Sequence, residues 1–191
     1  MATYMAKNPV IAPITAETDG AAPTYGTGMK IGDLISMQAT VNNNEAPLYG
    51  DDALSEYIAE FRDLDVTLNV TSLPSAAYTT MFGSTVDTTG QNVVEGTIHS
   101  NVNDNAAYVG VGFVKTEMIH NTKTYWVVWF SKVKFAAIGE DVETKGENVT
   151  WKTPSLTGKG TKGGDGDWRV LTPYSTEAAA IAALNAKAGI S

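Results

Sequence analysis

Two histidines, two acidic clusters and a glycine-rich loop are the groups in this chain whose chemistry could support catalysis or ligand binding. His99 and His120 stand more than twenty positions apart, with no HxxE or HxxxH spacing around either, so neither opens a metal motif. Asp51, Asp52 and Glu56, and again Asp63 and Asp65, are of the right type for general acid–base pairs. That chemistry depends on a carboxyl separation in space, and solvated acidic turns are the plainer expectation. The loop GKGTKGGDGDW has the P-loop separation at Gly158 and Gly163, but Gly164 and Asp165 stand where Lys and Ser or Thr are required. Asp165 and Asp167 lack the alternating oxygen ligands of an EF-hand. No cofactor, no metal and no enzymatic activity are expected. Trp126, Trp129 and Trp151 could stack on sugars or a protein surface, which gives the alternative reading, a carbohydrate- or protein-binding module.

The elements that must position these groups follow from periodicity. From Leu64 to Thr71, Leu64, Val66, Leu68 and Val70 alternate with Asp65, Thr67, Asn69 and Thr71, the pattern of a strand with one face in a core and one in water. The preceding run Ala53 to Arg62 fits a helix, with Leu54, Tyr57, Ile58 and Phe61 recurring at three and four residues, and equally a strand with an irregular start, which is the preferred reading. Met29 to Val41 reads as the first core strand and Asn42 to Pro47 as a turn. The stretch SLPSAAYTTMFG reads as a short helix capped by Ser72 and ended by Gly83. Strands are expected over Asn92 to His99, Ala106 to Glu117, Lys123 to Val133, Val149 to Leu156 and Trp168 to Leu171, with a mobile Gly158 to Asp167 loop. Tyr125 to Phe135 is apolar on both faces, so it must be central or covered by a partner. The tail is a helix former from a Ser175 cap to Gly189.

Length and composition narrow the class. At 191 residues the chain has room for one substantial domain. A net charge of -8 disfavours conventional nucleic-acid binding, which needs cations against phosphates. Cysteine is absent, which removes disulfides and thiolate chemistry. The first twenty residues lack the basic-then-apolar pattern of a secretory signal, and no apolar run is long enough for a membrane helix. The expectation is a soluble protein made in a cytoplasm. Three units are expected: an N-terminal arm over residues 1–28, a β domain over 29–172, and a C-terminal helix and tail over 173–191. Val10, Ile11 and Ile14 make the arm apolar enough to dock, and a neighbouring copy is the preferred surface over the arm's own domain.

The order of elements, carried by Leu48 to Asp52, Leu64 to Gly83, Trp126 to Phe135 and Asn148 to Gly158, resembles the major tail tube protein family of long-tailed phages that infect Gram-positive bacteria. The resemblance implies a mainly β (α+β) subunit, a β-sandwich or half-barrel with a flanking short helix. It implies hexameric rings stacked into a tube, with tape-measure and tail-end proteins as partners, a place in the virion, and double-stranded DNA passing without specific binding. On that reading Asp65, Thr67, Asn69 and Thr71 face the bore. Val10, Ile11, Ile14, Asn43, Asn44, Glu45, Asp51 and Asp52 meet neighbouring subunits.

Overall fold

Leu64, Val66, Leu68 and Val70 are all buried, and the core is built outward from that row. A computed structural model describes residues 2–90, 93–94, 96–144 and 151–191. The elements in chain order are β1 (Ala2–Ala16), β2 (Thr24–Tyr25), β3 (Met29–Lys30), β4 (Leu34–Gly50), β5 (Ala53–Val70), α1 (Ser75–Phe82), β6 (Thr85–Asp87), β7 (Thr97–His99), β8 (Val109–Ile119), β9 (Thr122–Phe135), β10 (Ser155–Thr161), β11 (Arg169–Tyr174) and α2 (Glu177–Ala188). The protein is mainly β, an α+β fold in which one antiparallel sheet has the order β2-β1-β8-β9-β10-β5-β4. β3 adds to β1, β11 adds to β9, and β6 pairs with β7 apart from the sheet.

The sheet curls on itself like a half-barrel. β1 and β4, near opposite ends of the strand order, come into contact, and residues 31–33 staple the two sides. The Ile31 N–H donates to the Pro9 carbonyl at 3.1 Å, and the Thr71 N–H donates to the Asp33 carbonyl at 2.9 Å. Gly32, at φ 38°, makes this staple possible, because a Cβ there would lie 2.5 Å from the Ser72 carbonyl oxygen. Inside the curl, Leu64 to Val70 meet Val111, Val128, Phe130, Val133, Phe135 and Leu156, and α1 plugs one end with Ala77, Met81 and Phe82.

The convex face carries α2. Thr116, Tyr125 and Val127 share that face with Trp129, by strand alternation and cross-strand register. Trp129 is buried beneath Leu184, Ala180 and Ala188 together with Val10 and Ala12. Gly112 leaves the indole its space, since a Cβ there would meet Trp129 Cε3 at 2.4 Å. Lys7 and Glu177 pair at the start of α2. The two-faced apolar pattern of Tyr125 to Phe135 is thus explained within one chain: β9 is central, with the curled core on one side and α2 on the other.

Several expectations are corrected. Residues 2–16 are no arm but a core strand pairing β8 along its length, because Val10, Ile11 and Ala12 have a waiting apolar surface on both faces of the chain's own sheet. Asn42 to Pro47 is no turn. β4 continues through it opposite Asp63 to Tyr57, and Pro47 is accommodated because β4 is an edge strand. The real turn is Asp51–Asp52, both at positive φ (50° and 62°), a two-residue hairpin of the primed type. α1 begins after Pro74, not at a Ser72 cap, whereas Gly83 does close it in the left-handed region, as expected. α2 is capped by Thr176 rather than Ser175. Gly158 to Thr161 belong to β10 and not to a loop, residues Trp151 to Pro154 are not strand, and Val149 and Thr150 lie outside the described residues. β11 runs to Tyr174, past the expected boundary at 172. The strand expected over Asn92 to His99 is β7, Thr97–His99, with Asn92 outside the described residues.

Candidate assembly surfaces

The lower half of the β4–β5 hairpin leaves the sheet. β10 pairs with β5 only from Leu64 to Asn69, and below it β11 takes the place beside β9 and pairs with β9 alone. Residues 43–61 therefore form a two-stranded ribbon with both faces and both edges bare. Register assigns the faces. Asn43–Phe61, Glu45–Ala59, Pro47–Tyr57 and Tyr49–Leu54 are opposite pairs, and they continue the face that carries the core residues Leu64 to Val70. Bulges at the Asn42/Asn43 and Leu48/Tyr49 steps shift the phase in β5 and keep it so.

This core-side face is apolar yet uncovered. Tyr49 is 67% exposed, Leu54 55% and Tyr57 51%. Only Phe61, at the base, is used within the subunit, where it stacks on Trp168 at 5.6 Å. On the reverse face Leu48 and Ile58 are exposed beside Glu56 and Glu60. Between Asn43 and Phe61 there are five carboxylates, Glu45, Asp51, Asp52, Glu56 and Glu60, and no Lys or Arg. A hydrogen bond to Glu45 pushes the Tyr57 phenol up from its ordinary value, tying the ring to the opposite strand.

The polar face of β5 is a second surface. Asp65 and Thr67 stand opposite Thr40 and Gln38 on one side and Lys159 and Thr157 on the other, and Asn69 opposite Ser36 and Ser155. Lys159 Nζ reaches Asp65 at 2.6 Å and Asp63 at 3.5 Å. The Asn42 amide donates to Asp63 at 2.6 Å and to Asp65 at 2.7 Å. Lys159 first, then Asn42, holds the Asp65 carboxyl below the usual aspartate range. Asn42 first, then Arg62, does the same for Asp63. The face continues onto Lys134 and Tyr108 around a shallow groove of about 750 Å³, and then onto Lys132, which pairs with Glu17. Three lysines thus stand against three carboxylates, so this face is hydrated and close to neutral rather than acidic. Thr71 does not share it. It lies past the end of β5, and its hydroxyl accepts the Asp33 N–H at 2.9 Å.

Because both carboxyls are depressed in the folded chain, their contribution is present above the unfolded aspartate pKa and is lost as pH falls through the lower folded values. Lys159→Met should raise the Asp65 titration midpoint toward the ordinary aspartate value, read by NMR of the side-chain carboxyl carbon. An unmoved midpoint would remove Lys159 from the network.

Of the expected interface residues, Asn43, Asn44 and Glu45 lie at the root of the ribbon and Asp51 and Asp52 at its tip. Val10 and Ile11 do not join them, being 1% and 0% exposed inside the chain's own core, and Ile14 pairs with Tyr25 in β2. No protein-family model matches this chain, and no curated protein matches it. The tryptophans gather at no groove. Trp129 is buried under α2, Trp126 points to the opposite face of β9, and Trp151 stands 85% exposed in the segment before β10. Among the described residues no group of three His, Asp or Glu side chains could hold a metal ion, and no described helix is long and apolar enough to cross a membrane. Sequence reasoning missed the apolar stripe Pro47, Tyr49, Leu54, Tyr57. Its alternation is broken by the bulges, and only the register restores it. Lys159 as the partner of Asp65 has no local signal at all.

Proposed function

We propose that this chain is the structural subunit of a phage tail tube, assembling with copies of itself into rings that stack around a conduit for DNA. The observation that carries the reading is the ribbon of residues 43–61. An isolated two-stranded hairpin is marginal in water, yet this one presents a stripe of tyrosine, leucine and proline that none of the described residues covers. Such a surface calls for a neighbour. Rings require a heterologous contact that closes by rotation, and a long edge strand with an apolar flank supplies one half of it. The resemblance sets the ring at six copies and adds tape-measure and tail-end proteins as partners in the virion.

The polar β10–β5–β4 face is the candidate wall of the bore. Lysines left unpaired there would hold passing phosphates. Here Lys159 and Lys132 are tied to Asp63, Asp65 and Glu17, Lys134 is held by the Asn105 side chain and the Tyr108 ring, and the β5 row and its neighbours are otherwise Ser, Thr, Asn and Gln. DNA would meet water and short dipoles without specific binding. Thr67→Lys with Asn69→Lys adds free cations to this row while leaving the ion pairs alone. The double variant should assemble normally and slow DNA ejection severalfold at low salt, whereas wild-type ejection kinetics would place the face outside the bore.

Antibodies raised against the chain should decorate phage tails along their whole length in electron micrographs. Label confined to heads or baseplates, or absent from particles, would overturn the reading.

A further inference from the structure

The curled sheet has a second apolar surface that is partly uncovered, on the same face as the ribbon stripe and at the same end of the sheet. The register places Lys115, Trp126 and Pro173 in one row and Phe113, Val128 and Leu171 in the next. All of them lie on the face that carries the main core, because Phe113, Val128 and Phe130 are core residues. α1 plugs only the opposite end of the curl, so this end stays open. Trp126 is half-buried, Pro173 is exposed, and Leu171 is 38% exposed. The floor carries Arg169 at one edge and a Lys115–Glu117 ion pair at the other. Lys115 Nζ lies over the Trp126 ring while bonding Glu117 at 2.7 Å. The Arg169 guanidinium stacks on Trp168 at 4.5 Å, and among the described residues no carboxylate pairs with it.

The two surfaces complement each other in polarity and charge. The ribbon stripe has Glu45 on its own face and Asp51 and Asp52 at its tip, with no base between Asn43 and Phe61. The floor is an apolar strip edged by Arg169, while Lys115 is already paired with the buried Glu117. Stripe and floor cannot satisfy each other within one subunit as folded, where, among the described residues, the ribbon's ring contact is Phe61 at its root, stacked on Trp168. We infer that the ribbon of one copy lays its Pro47, Tyr49, Leu54 and Tyr57 face on the Trp126, Leu171 and Pro173 floor of the next copy, with Glu45 toward Arg169. The inference rests on the self-assembly reading and deepens it by naming both halves of the contact. The contact is heterologous, ribbon to floor, so every copy uses both surfaces once and the chain of contacts propagates.

The absence of cysteine makes a clean cross-linking test possible. Leu54→Cys and Leu171→Cys are made as separate variants; both positions are exposed, so each variant should fold. The two are mixed at a concentration that supports assembly and treated with a short bis-maleimide. A covalent dimer in the mixture, with none in either variant alone, is the expected result. A second pair, Glu45→Lys with Arg169→Glu, should each weaken assembly singly and recover it when combined in one chain. Tubes that form without the mixed cross-link would overturn the ribbon-to-floor contact while leaving the tube reading in place. Each variant cross-linking to itself would mean a two-fold ribbon-on-ribbon pairing and would overturn it too. Protein that stays monomeric at every concentration would overturn both.

Discussion

Replacing Leu54 and Tyr57 together by serine should abolish assembly and leave the subunit folded. Both side chains are more than half exposed in the isolated chain, and changes at such positions usually shift folding stability by no more than about 0.5 kcal/mol. In a contact they would be buried, and fully burying a large apolar side chain contributes about 1.5–3 kcal/mol. Two per subunit make roughly 3–6 kcal/mol per contact, enough to weaken each association step by a factor of more than about a hundred. Sedimentation velocity should show the variant as a monomer at concentrations where the parent sediments as large assemblies, with an unchanged thermal midpoint. A variant that assembles like the parent would mean that the stripe touches nothing.

Trp129→Ala is expected to have the largest effect on the fold itself. The indole is 1% exposed, sits between β9 and α2 with Leu184, Ala180 and Val10, and meets the Tyr25 ring edge-on at 4.9 Å. Lys187 lies over its face at 5.6 Å, and burial pulls the Lys187 amine below the ordinary lysine value. Truncating a buried tryptophan typically costs about 3–5 kcal/mol, against a total stability of about 5–15 kcal/mol for a domain. The neighbours cannot collapse into the gap cheaply, because the packing is set by Gly110 and Gly112, which were small only to admit the ring. Urea denaturation should show a midpoint far below the parent's, with the far-ultraviolet helical signal lost at lower urea. A loss under about 1 kcal/mol would mean that α2 is not seated on this residue.

The parts of the fold that declared themselves in sequence are those whose signals are local. The Leu64 to Val70 alternation, the Gly83 and Gly189 helix ends and the two-faced pattern of Tyr125 to Phe135 all need only neighbours in the chain, and each is seen in the structure. Residues 2–16 were misread because Pro9 and Pro13 break the period, while the bulge between Lys7 and Val10, with Asn8 at φ 54°, absorbs the break within a continuous strand. Asn42 to Pro47 carries turn residues, but Asn42 spends its amide on Asp63 and Asp65 across the ladder, a use that depends on register. The acidic character of the β5 polar face was legible in Asp63 and Asp65. Its neutralisation was not, since Lys159 is nearly a hundred positions away in the chain and arrives through β10. The ribbon's apolar stripe was hidden for the related reason that two bulges change the phase of the pattern.

The central claim is self-assembly into a hollow tube, and negative-stain electron microscopy of the concentrated, purified chain tests it most directly. The account predicts stacked rings or tubes with a stain-filled bore, lost in the Leu54→Ser, Tyr57→Ser double variant. A field of compact single particles at every concentration, identical for the parent and the double variant, would contradict it.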